Sequence, residues 1–309
     1  MENIKQSKKR IVIFLALTVV ISWAVFLLIP LSGMTYGNGM SVVILMLAMF
    51  MPALCSILTR LITKEGFKNM YLNPHFNGHI RHYLLIYFGP TLLLFLSGAV
   101  YFLLFPAAFD PEFTVFKQAT AVAGTLSVSV VSLLLISAVQ VIVIGPVINI
   151  IPTLGEELGW RGYLLPKLRT FLSDRGALAL TGVIWGLWHA PIIWMGHNYG
   201  TDYPGYPWLG ILAMVLFCLM LGIIEGYAAI KLQSVIPAAM IHSLVNAGAA
   251  FPIYLAKTGY NTLLGPAITG AAGAIPFIIL AIILLIKSSG KKPAAIGSAP
   301  EPDGPQART

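Results

Sequence analysis

Two adjacent glutamates, Glu156 and Glu157, stand in the run Gly155-Glu-Glu-Leu-Gly-Trp-Arg161-Gly162, within sequence apolar enough to sit in a bilayer. The chain has only 11 acidic residues in 309. An ionisable group at membrane depth costs about 2.5–3.5 kcal/mol on insertion scales, so such a group points to function by default. Read as a helix, positions 157 and 161 lie four apart, which puts Glu157 and Arg161 on one face as a pair. Glu156 is turned by about 100° from Glu157 and about 140° from Arg161. The spacing therefore predicts a structural Glu157–Arg161 pair and leaves Glu156 aimed elsewhere, available for acid–base chemistry. A helix end at the cytoplasmic surface with an ordinary salt bridge reads equally well from this motif alone. Gly155, Gly159 and Gly162 would let another helix, or a substrate backbone, come close.

Two further polar sites lie in apolar sequence. His189 follows Trp185 by four residues in Trp185-Gly-Leu-Trp188-His189-Ala-Pro191, so the indole can pack on the imidazole. By itself such a histidine is more often a packed core residue than a catalyst. His242 and Asn246 are also four apart, and their side chains project toward one point. Two converging donors suit a developing negative charge; interhelical hydrogen bonding is the plainer alternative. At about 1.5 Å per residue, Glu156, His189, His242 and Asn246 all fall about 12–18 Å from the same end of their helices. They can share one layer if the segment 153–168 dips into the membrane.

The elements that must hold these residues are set by composition. With 58% hydrophobic and 10% charged residues and a mean hydropathy of +0.85, the chain is not a soluble globular protein. Crossing a bilayer takes about 20 apolar residues, and eight such runs are expected, near 11–31, 40–62, 83–105, 126–150, 177–196, 207–230, 234–256 and 267–286. The fourth is the least regular, being followed by Pro152 and interrupted at Gly145-Pro146. If the N-terminus is cytoplasmic, every lysine and arginine except Lys117 and Lys257 falls on the inner side, which places both termini inside. The net charge of +8 is then topological, and nucleic acid is not an expected partner. The expected architecture is an all-α polytopic integral membrane protein of the cell membrane. It comprises a single transmembrane domain over 1–286, with a helical bundle lining an intramembrane cavity, and a disordered cytoplasmic tail over 287–309. The first run resembles a signal peptide but is longer than one and lacks a small-residue cleavage site, so it reads as an anchored span. Cys55 and Cys218 support neither a disulfide nor a metal site. His75, His79 and His82 have helical metal-like spacing but follow Asn73-Pro74 and flank Gly78, and read as a solvated loop. The turn-rich segment 196–207 reads as a connecting loop, with a lid as the alternative.

Glu-Glu-x-x-x-Arg at 156–161, aromatic-x-x-x-His at 185–189 and His-x-x-x-Asn at 242–246, in that order, resemble the motif set of the intramembrane CAAX protease and bacteriocin-processing family. That family includes the type II CAAX prenyl endopeptidases. The likeness covers about 125–250; the first three spans and the tail match in general character only. It implies an intramembrane peptidase that hydrolyses a peptide bond in a prenylated or membrane-embedded peptide. Glu156 and His189 would activate water, Glu157 and Arg161 would support them, and His242 with Asn246 would form the oxyanion pocket. No cofactor and no serine or cysteine nucleophile are implied. The partners expected are a membrane-associated peptide or protein substrate and the lipid bilayer. A cytoplasmic-facing cavity would suit a lipidated C-terminus. Trp185 stands where the family usually has phenylalanine, a change expected to matter little. Glu225 is an extra acid, expected to pair with a cytoplasmic cation or to snorkel. Three other readings remain: zinc held by Glu156, His189 and His242; a non-enzymatic membrane scaffold or bacteriocin self-immunity protein; and a proton-relaying transporter, against which the lack of internal repeats counts.

Overall fold

The computed structural model describes residues 3–120 and 129–290. The start of the fourth expected span (126–128) and the tail from 291 lie outside the described residues. Among these residues the chain is helical, with an isolated bridge between Phe109 and Ala256 in place of any strand. Six stretches are long and apolar enough to cross a bilayer. They are α1 (Ile4–Leu31), the broken pair α2 (Met40–Ala48) and α3 (Met51–Ile62), α4 (Ile80–Leu104), α6 (Val130–Gly159) with its continuation to Leu168, α10 (Trp208–Leu232), and α11 (Ile236–Gly248) with a 3-10 turn to Leu255; the short α5 (Thr114–Thr120) lies in the connection between α4 and α6. This is an integral membrane protein.

The expected count of eight is not met by eight long helices. The fifth expected span is α8 (Asp174–Trp188) followed by the short α9 (Ala190–Trp194), and the eighth is α12 (Ile275–Lys287), preceded by turns rather than helix. Proline explains both. Pro191 has no N–H to continue α8, and Pro276 sits in the first turn of α12, where a missing N–H costs nothing.

The irregular fourth span resolves the other way. α6 runs unbroken through Pro146 and Pro152 to the glutamates, so the site segment is the end of a crossing helix rather than a separate one dipping in. Pro146 leaves the carbonyl of Ile142 without its usual donor, and the hydroxyl of Tyr87 on α4 supplies one. Asn149 and Thr153 bond back to the carbonyls of Gly145 (2.8 Å) and Asn149 (2.8 Å). The helix then widens into a π turn, Trp160–Leu164, where the N–H of Leu165 reaches the carbonyl of Trp160, and closes with α7 (Leu165–Leu168). Such turns recur at functional sites.

Small residues set the closest helix contacts. A Cβ at Gly182 would lie 2.7 Å from the Cα of Leu219, and one at Gly186 would lie 2.5 Å from the Cα of Val215, so α8 meets α10 backbone to backbone. Gly155 and Gly159 likewise face the α2–α3 break, where an added Cβ would lie 2.9 Å from the Met49 carbonyl and 2.4 Å from the Pro52 Cβ. They admit a helix, not a substrate.

The basic segments gather at one end of the bundle. Glu65 accepts from Tyr163 (3.1 Å), pairs with Lys167, and lies 3.4 Å from both Arg10 and Arg60. Arg175 caps the C-terminal carbonyls of α12 at Leu285 (3.0 Å) and Ile286 (2.7 Å). At the opposite end the connections bind each other instead: the Asp110 amide to the Leu255 carbonyl (2.9 Å), the Tyr199 hydroxyl to the Thr269 carbonyl (3.1 Å), and Tyr36 to His197.

Candidate active site

The last turn of α6 separates its two glutamates. Glu157 accepts from Nη1 of Arg161 at 2.8 Å and from Nδ1 of His242 at 2.9 Å, with both its side chain and that of Arg161 fully buried. The helical pairing of Glu157 with Arg161 is therefore present, and it extends to His242 on α11. Arg161 also lies 2.5 Å, through Nη2, from Oε2 of Glu225 on α10. That contact is an ion pair without hydrogen-bond alignment, since neither Nη2 nor either Glu225 oxygen has a hydrogen-bonding partner within the protein. Glu225 thus neither snorkels nor meets a surface cation. It is wholly buried, because Arg161 turns inward from the π turn and stands between two carboxylates.

Glu156 faces the other way. Its Oε2 accepts from the indole N–H of Trp185 at 2.8 Å. Trp185 also lies edge-on to His189 (5.8 Å between centroids) and His242 (5.1 Å), and carries the Arg161 guanidinium 4.4 Å above its ring. A phenylalanine would keep the ring contacts and lose the bond to Glu156, so the Trp185 departure has a consequence that the sequence reading did not assign it.

His189 occupies the break between α8 and α9. Its amide bonds to Gly186 in the tighter 3-10 pattern (3.2 Å), which frees the Trp185 carbonyl, and the imidazole Nδ1 takes that carbonyl at 2.8 Å. A carbonyl only accepts, so Nδ1 carries the hydrogen and Nε2 is the free ring atom. The same logic applies to His242, whose Nδ1 faces a carboxylate. Against His189 stacks His197, ring centroids 6.3 Å apart and nearly parallel at 11°. His197 lies in the connection after α9, its Nδ1 is bonded to Tyr36, and enclosure in the cavity wall pushes its pKa down to about 4, leaving it neutral.

One cavity of about 430 Å³ joins these groups. Glu156, His189, His242 and Asn246 all line it, and Glu157 and Arg161 do not. Three segments distant in sequence thus bring the four candidate reacting groups to one cavity, with the ion cluster behind it. His197, Asn198, Tyr36 and Asn149 line the same cavity, and sequence reading singled out none of them. For His197 the signal was present, a histidine eight positions past His189 in a loop otherwise read as a connection. That loop, 196–207, gives wall residues to the cavity through its first members.

Among the described residues, the group whose ligand atoms lie within 4.8 Å of one another is Glu157, Glu225 and His242, a different set from the alternative zinc trio of Glu156, His189 and His242. The Arg161 guanidinium already supplies positive charge to that group. His75 and His82 are exposed and His79 is half-buried, its Nδ1 bonded to the backbone carbonyl of His75 (3.0 Å).

Residues 138–248 match the family model described as Rce1-like, type II CAAX prenyl endopeptidase. All six residues of the three motifs, together with Trp185, His197 and Glu225, fall inside that span. The chain is also similar to the CAAX prenyl protease 2 of Methanococcus maripaludis, at 38% identity over 93 residues. The alignment takes in 29% of this chain and 34% of that relative, so the chain spans about a third of the length of the curated relative it matches. The Rce1-like match therefore bears on the core that carries the cavity, and α1 to α4 lie outside it.

Proposed function

We propose that this protein is an intramembrane endopeptidase of the cell membrane, with both termini cytoplasmic, acting on a peptide held in or at the bilayer. The observation that carries the reading is the joint lining of one intramembrane cavity by Glu156, His189, His242 and Asn246, within the stretch that matches the Rce1-like family.

In the proposed reaction, Glu156 takes a proton from water while Nε2 of His189, the ring atom left free, orients that water. The hydroxide adds to the scissile carbonyl. His242 and Asn246 donate hydrogen bonds to the oxygen that becomes negative. Because the Nδ1 hydrogen of His242 is committed to Glu157, a second donor at Nε2 requires the doubly protonated ring. The surrounding carboxylates support this state: Nδ1 of His242 donates to Glu157 at 2.9 Å, and Glu156 lines the same cavity as the ring, so an imidazolium there is flanked by negative charge. The C–N bond then breaks, and the proton held by Glu156 passes to the leaving amine.

Zinc bound by Glu156, His189 and His242 is the mechanistic alternative, and undiminished turnover after treatment with a strong chelator would dismiss it. The decisive comparison is wild type against Glu156→Gln in proteoliposomes carrying a membrane-delivered peptide library. Loss of the base is expected to lower turnover about 100- to 10,000-fold with an unchanged thermal midpoint. Cleavage that survives the substitution overturns the mechanism. No cleavage by either protein, across the library, favours the scaffold reading instead.

A further inference from the structure

We infer that Glu225, which no motif covers and the proposed reaction leaves unused, is a positioning residue of the site. It fixes the guanidinium of Arg161, and through it both the Glu157–His242 pair and the indole that holds Glu156. The catalytic part of this inference rests on the peptidase reading above; the control of side-chain geometry does not.

Three observations carry it. First, α10 is shaped to receive the guanidinium. An added Cβ at Gly222, about one turn before Glu225, would lie 3.3 Å from Nη2 of Arg161 and 3.0 Å from the Cα of Gly182. Glu225 then meets the same Nη2 at 2.5 Å, with both side chains fully buried. A buried ion pair adds little net stability over well-packed apolar residues, so stability alone gives no reason for an acid at this place on α10.

Second, Arg161 is shared between the two halves of the site. Its Nη1 donates to Oε1 of Glu157 at 2.8 Å, and the same Oε1 accepts from Nδ1 of His242 at 2.9 Å. The guanidinium also lies 4.4 Å above the ring of Trp185, whose N–H holds Glu156. A turn of its plane therefore reaches His242 by one path and Glu156 by the other.

Third, Glu225 sets that plane from a second helix. Arg161 and Glu157 belong to one local face, and such a pair also forms in the two-pronged geometry, in which the carboxylate turns with the guanidinium. Here Nη2 is drawn to α10 and Glu157 is held through Nη1 alone, with its Oε2 making no hydrogen bond among the described residues. The Glu157 carboxylate is thereby left to align with His242.

The test compares Glu225→Gln, which removes the charge at nearly constant volume, with Glu225→Asp, which keeps it. Gly98→Ala is the stability control: its Cβ would lie 2.9 Å from that of Pro252, at a contact that does not involve Arg161. One readout needs no catalysis. The Nδ1 proton of His242 is followed by NMR in detergent-solubilised protein with isotope-labelled histidine, assigned by its loss in His242→Gln. Glu225→Gln is expected to shift or broaden this signal and Gly98→Ala to leave it in place; an unmoved signal in Glu225→Gln overturns the inference. The second readout is turnover on a membrane-delivered peptide. Neither Arg161 nor Glu225 lines the cavity, so Glu225→Gln is expected to lower kcat about 10- to 100-fold, as a misplaced reacting group does, with KM unchanged and Glu225→Asp in between. In an Arg161→Lys background the same substitution is expected to change kcat by less than about twofold, because the two act as one unit. A wild-type kcat, a loss carried in KM, or a full additional loss in the Arg161→Lys background overturns the inference. Where Glu225→Gln does not accumulate as folded protein, Glu225→Asp carries the test, and a wild-type kcat with an unmoved signal overturns it. If no variant and not the wild type cleaves any peptide, the peptidase reading fails, and the His242 signal still decides the positioning.

Discussion

At the scale of single residues, the site depends on which atom of each side chain is already engaged. Glu156 is held by one indole N–H, and that bond is the difference between Trp185 and a phenylalanine. A hydrogen bond to a charged group contributes about 1.5–3 kcal/mol, so Trp185→Phe is expected to reduce turnover about 10- to 100-fold with little loss of stability, read as kcat against thermal midpoint in the same preparation. Glu157→Gln is expected to act on both readouts, because it removes the charge that Arg161 and His242 share; breaking a buried pair costs about 3–5 kcal/mol. A Glu157→Gln protein with normal kcat would detach His242 from the chemistry. The division between the two glutamates was legible from helical spacing, since Glu157 and Arg161 belong to one local face. The reach of Glu157 to His242, 85 positions away, and of Glu225 to Arg161 was not. Those contacts depend on how α10 and α11 dock, which no local period encodes.

At the scale of elements, glycine and proline decide where helices run and how near they come. Local sequence identified Pro146, Pro152 and Pro191 as irregularities but could not rank them. The first two are absorbed: the carbonyl that Pro146 leaves open finds the Tyr87 hydroxyl on a neighbouring helix, while α8 stops before Pro191, and the 3-10 bond of the His189 amide to Gly186 leaves open the Trp185 carbonyl that orients His189. The outcome hangs on whether another helix supplies a donor, which is tertiary information. This is also why eight runs of apolar sequence became six long helices and two shorter arrangements. The α8–α10 seam gives a direct test. Gly186→Leu places its Cβ where the Val215 backbone already lies, and overpacking of this kind costs about 1–3 kcal/mol. The detergent-solubilised variant should melt below wild type, whereas Leu187→Ala, on the 49% exposed face of the same turn, should melt close to it. Equal shifts would mean that the seam does not limit stability.

At the scale of the whole molecule, a collar of ion pairs closes one end and linked loops poor in lysine and arginine rim the other. The gathering of basic residues at one end was readable from where lysines and arginines fall between the apolar runs. The buried layer around Arg161 was not, because it depends on how α6, α10 and α11 meet. That layer has an electrical consequence. In the proposed reaction the proton that Glu156 takes from water passes to the leaving amine within the same cavity, so no charge crosses the layer. The membrane voltage, worth about 2.3 kcal/mol per elementary charge per 100 mV, then has no moving charge to act on. Turnover in proteoliposomes is therefore expected to be unchanged when a potassium diffusion potential of either sign is imposed, and a rate that follows the voltage would mean that a charge crosses the Arg161 layer in each cycle.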